Sequence, residues 1–530
     1  MSDERDRYDV IVVGSGGGLF GAYAAARRGL RTLVIEKSEF VGGTTAYSGA
    51  GIWLPGNPAE VRAGLEGGSA AARPYLDAII GDDAPVALRE AYLEAGPRMI
   101  EELEADPAIG EFEWRGVPDY FADAPGALRK GRTIFPANID RSELGDLEPL
   151  VRRPLWTDRW GVEAPETMVG GQALIGRALL AFMNTGHGEI RTNTALEQLI
   201  VEGGRVVGVE AVSDGKPLRL FAGRGVLLAA GGYEANRELR QRYQAPITGE
   251  WTSGVASNTG DALLAGIDIG ADTALLDEAW FAPGVVAPDG KPVFYTMVWS
   301  GIWVNAAGER FMNERLPYDR AGHEILRVQA ETGVSTLPTY WVFDQRQVDR
   351  NAFDMLPVDP PVPGWFDVER WIEAGTLVRA DTLEELAEQI GVPAGALSKS
   401  VEQFNEFAVT GVDEQFHRGE TPWDRVTALL FGAHEDGPNR CLGVIDQGPF
   451  YAVRVVVTDL GTKGGLVTDA DARVLRPDGS VIEGLYASGN TMAPALGRIY
   501  PGAGGPIGSA MVFAYLAALD MAALAMPEGV

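Results

Sequence analysis

Cysteine is nearly absent: the 530-residue chain has one, Cys441. An internal disulfide is excluded, as is a thiolate metal cluster, and a reducing, cytoplasmic setting fits. Histidine is scarce too. The four, His187, His323, His417 and His434, form no HxH or HExxH pair, so no metal site is expected. Basic charge is in short supply, with 45 Lys and Arg against 74 Asp and Glu and a net charge of −29. Such a surface repels phosphate backbones, which argues against nucleic acid as a partner. It also disfavours docking on anionic membranes by charge alone, leaving other peripheral attachment open. The opening MSDERDRYDV is charged and then enters a strand, unlike a signal peptide. Long hydrophobic runs are missing except at residues 506–526, where Asp520 is the one charge. A spanning helix needs about 20 apolar residues. This stretch is mostly alanine, with Gly508 and Ser509 near its start, and reads as a buried globular helix, so no transmembrane segment is expected.

What is present is the composition of a soluble globular protein, 46% hydrophobic and 22% charged. The length suggests two or three units. Residues 8–13, YDVIVV, read as a buried parallel strand, and residues 19–28 as a helix. A second strand at residues 32–35 ends on Glu36. Between the first strand and the helix lies Gly14-Ser15-Gly16-Gly17-Gly18. This is a βαβ unit with an acid about 20 residues on, the pattern of dinucleotide binding. Glycines let backbone N–H groups approach a pyrophosphate, the helix N-terminus adds partial positive charge, and Glu36 would accept from the ribose hydroxyls. The register has two readings. Gly16-x-Gly18-x-x-Gly21 fits the spacing fully, but the strand end at Val13 favours Gly14 and Gly16 as the turn glycines.

A second glycine loop, VGGTTAYSGA from Val41, follows the acid closely. An NAD domain has no reason for it, whereas FAD is longer and needs more backbone along its pyrophosphate and ring. Two further strands end in glycines, VLLAAGG from Val226 and GLYASGN from Gly484.

In this order the motifs resemble the flavoprotein family of fumarate reductases, succinate dehydrogenases and 3-ketosteroid dehydrogenases, over nearly the whole chain. The segments Asn258-Thr259-Gly260-Asp261 and GTKGGL from Gly461 also match that family. The resemblance implies an α/β fold: a Rossmann-like FAD-binding domain, split in sequence, with an inserted α+β catalytic domain. The expected boundaries are 1–279, 280–449 and 450–530. It also implies FAD contacts from Gly14, Ser15, Gly16, Gly17, Glu36, Lys37, Gly43, Thr44, Thr45, Ser48, Gly49, Ala230, Gly231, Asp261, Gly489, Asn490, Pro506 and Ile507. No histidine stands in the Thr44 to Gly49 loop, where the succinate dehydrogenases attach flavin covalently, so non-covalent FAD is expected.

Lys463 stands where the dicarboxylate enzymes carry histidine, which argues against that branch. Three tyrosines, in PDY (Tyr120), LPYD (Tyr318) and YPGAG (Tyr500), are together similar to the 3-ketosteroid Δ1-dehydrogenases. So are YSGAGIWLPG from Tyr47, AWFAPG from Ala279 and DEQFHRGETP from Asp413. That branch implies 1,2-desaturation of a 3-ketosteroid A ring with an unidentified electron acceptor. Hydride leaves C1 for flavin N5, and a proton leaves C2. Tyr500 O–H and Gly504 N–H would hold the enolate oxygen. Tyr318 would be the base, helped by a hydrogen bond from Tyr120. The alternatives are a flavin-dependent reductase, a Δ4-dehydrogenase, and an FAD-binding protein without turnover.

Within the middle section, Pro357, Pro360, Pro361 and Pro363 mark a loop, residues 339–343 a strand, and Asp381 a helix cap with Glu384 three residues on. Residues 81–159 read as a polar excursion from the FAD domain over the active site.

Overall fold

The computed structural model describes residues 6–65, 67–247, 251–294, 301–349, 367–430 and 437–524. The chain divides into two compact units. Met1–Gly249, Gly254–Ala279 and Gly461–Val530 form the first; Glu250–Ser253 and Trp280–Leu460 form the second.

The first unit opens with β1 (Arg7–Val13), α1 (Gly18–Arg27) and β2 (Thr32–Ile35). The helix thus starts one residue before the expected Leu19 and ends one before Arg28. Helix α2 (Arg73–Ile80) and strands β3 (Gly188–Arg191), β4 (Thr194–Glu202), β5 (Arg205–Ser213) and β6 (Lys216–Leu228) follow. The second unit holds β7 (Ala279–Val286), β8 (Pro292–Phe294), β9 (Ile302–Val304), α3 (Tyr318–Thr332), β10 (Thr339–Asp344), β11 (Leu377–Ala380), α4 (Leu383–Ile390) and most of β12 (Phe450–Thr462). The chain then returns through β13 (Arg473–Leu475), β14 (Val481–Ala487) and α5 (Gly505–Ala523).

In the first unit the sheet runs β13-β14-β6-β1-β2-β3, with β5 paired to β6 and β4 to β5. The central pairings are parallel, Val10 standing opposite Thr32 and Val226 opposite Leu485. Residues 10–13 of β1 and all of β2 are buried, as strands covered on both faces must be. Helix α5 crosses α1 through small residues. A Cβ on Gly21 would sit 2.7 Å from the Ala514 carbonyl oxygen, and one on Gly17 2.6 Å from the Ala510 Cβ. Among the described residues α5 is the one helix long and apolar enough to cross a membrane, and half of its apolar window is buried. Its alanines let two helix backbones approach closely, which a spanning segment does not require. Residues 81–159 are more than an excursion. Leu88, Tyr92, Met99, Ile100 and Leu103 lie in the main apolar core, because the helix Val86–Glu104 repeats them on one face.

In the second unit the sheet order is β8-β7-β12-β10-β9, with β11 also on β12. Thr339 pairs with Val455 and Asp344 with Phe450, antiparallel. The expected return at Phe450 therefore comes too early. Phe450 opens a strand that completes this sheet, and the first unit resumes at Gly461. The helix cap is also displaced by one residue. Thr382 caps α4, accepting from Glu385 N–H at 3.2 Å, while the Glu385 carboxylate accepts from Thr382 N–H at 3.2 Å. The box pairs Thr382 with Glu385 rather than Asp381 with Glu384. The Pro357 to Pro363 cluster lies outside the described residues.

Candidate functional site

The expected nucleotide residues all lie in the first unit. Gly14 turns with φ at +99°, and the Ala229 backbone leaves no space for a side chain there. A Cβ on Gly18 would sit 2.8 Å from the Ala229 Cβ and 2.9 Å from Val12 Cγ1, and one on Gly21 2.9 Å from Leu227 Cδ2, so both glycines let helix α1 approach the sheet. Glu36 is buried. Its carboxylate accepts from Ser15 Oγ at 2.5 Å and from the Ser38 N–H and hydroxyl at 2.9 Å each. Ser15 Oγ accepts in turn from Gly42 N–H at 2.9 Å. The first glycine turn, the acid and the second glycine loop are thus one hydrogen-bonded piece.

Other segments close around it. Lys37 Nζ donates to Thr259 Oγ1 at 2.6 Å and pairs with Asp261 at 2.8 Å. Thr44 Oγ1 accepts from Val255 N–H at 3.1 Å and from the Asn258 amide at 3.3 Å. The Ser48 hydroxyl donates to the Thr45 carbonyl at 2.7 Å. Nothing stands within 4 Å of where a Cβ would project from Gly43 or Gly49, while Gly16 lies 3.3 Å from Thr45 Oγ1 by the same measure. Ala230 N–H donates to Thr491 Oγ1 at 3.1 Å, and that hydroxyl donates to the Gly231 carbonyl at 2.8 Å. Gly489 turns with φ at +61°; Asn490 leaves Gly461 no room for a side chain; Pro506 and Ile507 form the first turn of α5. Two helix N-termini, glycine turns without Cβ atoms and one buried acid make a donor-rich, anion-accepting cradle. That donor set fits FAD, with the glycine turns suited to its pyrophosphate and Glu36 to its ribose.

Sequence reasoning missed Glu234. It is fully buried; its carboxylate accepts from Asn258 Nδ2 at 2.6 Å and from Thr462 N–H at 3.3 Å. An acid just past the AAGGY turn was the available signal. Lys463 was noticed, but its role differs from that of a dicarboxylate ligand. Its Nζ donates to the Arg498 carbonyl at 2.7 Å, two residues before Tyr500.

Tyr120, Tyr500 and Gly504 come together in the first unit. The Tyr120 and Tyr500 ring centroids are 5.3 Å apart, and both rings are buried. Gly504 N–H donates to the Tyr500 hydroxyl oxygen at 3.3 Å. Gly504 caps α5 with φ at +93°, and the Gly51 carbonyl leaves no room for a side chain there. A glycine is required on both counts. Tyr120 N–H donates to the Pro501 carbonyl at 3.0 Å. Beside Tyr120, Asp119 is fully buried; it accepts from Trp53 Nε1 and Leu128 N–H at 2.8 Å each and pairs with Arg132. Burial pushes the Asp119 carboxyl above the usual carboxylate range, and Arg132 opposes the shift.

Tyr318 lies in the second unit as the first residue of α3, after Pro317. Its ring meets Phe294 edge-on at 4.9 Å between centroids. Upstream, Glu314 is fully buried between two arginines. Arg310 Nε lies 2.8 Å from it and Arg418 Nη1 3.2 Å, and Arg310 also reaches Asp413 at 2.7 Å. Burial works to raise the Glu314 carboxyl, but the guanidiniums of Arg310 and Arg418 outweigh it and hold it below its ordinary value. Trp423 Nε1 donates to the Arg315 carbonyl at 2.8 Å. The DEQFHRGETP motif thus supplies Asp413 and Arg418 to a buried ion network.

The FAD binding domain family model matches residues 9–507. The chain is 41% identical to the 3-oxosteroid 1-dehydrogenase of Mycolicibacterium smegmatis, over 98% of each chain. It is 39% identical to that of Rhodococcus opacus, over 98% of this chain and all of the relative. The crystal structure of 3-ketosteroid Δ1-dehydrogenase from Sterolibacterium denitrificans, in complex with 1,4-androstadiene-3,17-dione, matches with a TM-score of 0.88 and 34% identity, over 98% of this chain and all of that one. The chain is therefore a member of the FAD-dependent oxidoreductase family that includes the 3-oxosteroid 1-dehydrogenases.

Proposed function

We propose that the chain introduces a C1–C2 double bond into the A ring of 3-ketosteroids, using non-covalently bound FAD in the cytoplasm and passing electrons to an acceptor still to be identified. The observation that carries this reading is the Tyr500 hydroxyl held against Gly504 N–H beside Tyr120, in a chain 41% identical to a 3-oxosteroid 1-dehydrogenase.

The C2 proton is acidic only because the C3 carbonyl can take up the charge as an enolate. Tyr500 O–H and Gly504 N–H would both donate to that oxygen once the Gly504 N–H exchanges its bond to the Tyr500 hydroxyl for one to the substrate, and donors of this kind lower a barrier by roughly 3–4 kcal/mol each. The α5 N-terminus adds its positive field, since Gly504 caps that helix. Tyr318 takes the C2 proton. Tyr318 is the first residue of α3, and the field of that helix N-terminus favours negative charge nearby. The family resemblance gives Tyr120 the part of favouring that phenolate. Bound FAD supplies the acceptor for the C1 hydride. The substrate then loses one hydride and one proton, which balances the new double bond. The absence of histidine from the Thr44 to Gly49 loop supports non-covalent attachment, and the single buried cysteine suits a reducing compartment.

Tyr318→Phe tests the assignment. The purified variant should stay yellow, release FAD on acid precipitation, and lose turnover of androst-4-ene-3,17-dione by about 10²–10⁴-fold. Exchange of the C2 proton with deuterated water should stop as well. Undiminished exchange removes Tyr318 from the role, and no turnover by the parent across a panel of 3-ketosteroids removes the substrate class.

A further inference from the structure

We infer that Tyr75 is a positioning residue for the enolate-binding corner, acting through the Pro501 carbonyl; this rests on the roles given above to Tyr120, Tyr500 and Gly504. Tyr75 lies in α2 and is fully buried. Its hydroxyl donates to the Pro501 carbonyl at 2.6 Å and accepts from Phe121 N–H at 3.2 Å. Tyr120 N–H donates to the same carbonyl at 3.0 Å. These three bonds close a ring through adjacent residues 120 and 121, the Tyr75 hydroxyl and one carbonyl.

The ring solves a particular problem. The loops bearing Tyr120 and Tyr500 are irregular and far apart in sequence, and such loops are mobile by default. Proline at 501 has no N–H, so its carbonyl is the backbone group by which the residue can be tied. Two donors occupy both lone pairs of that oxygen, which fixes the peptide leading to Gly502. Gly502 then runs against the Trp53 ring too closely to carry a side chain. The path from Tyr500 to the Gly504 N–H is thereby set. The Tyr75 ring is itself held: the Arg132 guanidinium lies 5.6 Å from its centroid and the Trp53 ring 6.0 Å away. Arg132 in turn pairs with Asp119, the neighbour of Tyr120. A phenylalanine would fill the same space, so the hydroxyl supplies geometry rather than burial.

The test is Tyr75→Phe in the holoenzyme, alone and combined with Tyr500→Phe, with androst-4-ene-3,17-dione and an artificial electron acceptor. Alone it should lower kcat about 10-fold, because small displacements of positioned groups cost rate steeply. KM, flavin content and melting temperature should stay close to the parent's. In the Tyr500→Phe background the same change should cost less than about 3-fold of the residual rate, since the corner it aligns no longer carries its hydroxyl. An unchanged kcat, an equal loss in both backgrounds, or a loss matched by lost flavin overturns the inference. Tyr500→Phe serves as the control: full activity there overturns the enolate-corner reading itself, and this inference with it.

Discussion

The two units are built by opposite means. The first works with what side chains leave out. Gly14, Gly17, Gly18 and Gly21 bring α1 against the sheet and α5, and its functional donors are largely backbone N–H groups. The second works with charge. Glu314, Arg310, Asp413 and Arg418 are buried beside an apolar core and neutralise one another. A long anionic cofactor is best met by backbone at close range, where any Cβ would intervene. The segment leading to Tyr318 has instead a rigid frame, which paired buried ions supply through directional bonds.

The largest effect should come from breaking the charged frame. Glu314→Ala leaves Arg418 and half of Arg310 uncompensated in the interior, and should cost about 3–5 kcal/mol. Urea unfolding followed by tryptophan fluorescence measures this. At low denaturant the flavin should stay bound, because the frame belongs to the second unit. Gly21→Val attacks the other strategy. The added carbons meet the Ala514 carbonyl, so overpacking should cost about 1–3 kcal/mol. Here flavin per chain, read from the visible spectrum after gel filtration, should fall first. If the two variants lose flavin alike, the contrast between the units fails.

The smallest effect sharpens the comparison, because the first unit also buries an acid, Glu60, on a backbone N–H. Glu60 is buried, and its carboxylate accepts from Gly56 N–H at 2.6 Å. Burial pushes its carboxyl up to about 7; the Gly56 bond and the charge of Arg132 oppose the shift, and Asp119 adds to it. Between about 4.5 and 7 the folded chain holds a proton that the unfolded chain has released. Stability from this group therefore falls as pH rises through that window and stays low above it. Glu60→Gln removes the dependence. It should match the parent near pH 4.5 and exceed it at pH 8 by on the order of 1 kcal/mol, measured by thermal melting. Glu314, held below its ordinary value, has the opposite sign: its contribution is present at neutral pH and is lost on acidification.

Much of the nucleotide half was legible in the chain. Strand, glycine turn, helix, strand and acid follow from local pattern, because period, turn chemistry and a short crossover are properties of neighbouring residues. β2 falls on the expected residues, and α1 differs by one at each end. The expected cap at Asp381 and return at Phe450 failed for different reasons. The first turns on which of two overlapping local patterns, Asp381 with Glu384 or Thr382 with Glu385, forms the box; the second turns on which sheet a strand completes, which the neighbouring residues do not carry. Tyr75 carried no motif, since its Pro501 partner lies hundreds of positions away.

The sequence by itself determined the cofactor class, the split of the first unit and the family, since each rests on short motifs whose order survives without coordinates. Only the tertiary structure decided that Gly504 N–H meets the Tyr500 hydroxyl, that Lys463 holds the Arg498 carbonyl, and that one buried tyrosine ties two loops through a proline carbonyl. A hydrogen bond depends on distance and angle to within a few tenths of an ångström, and in a folded chain those are set by packing rather than by position along the sequence.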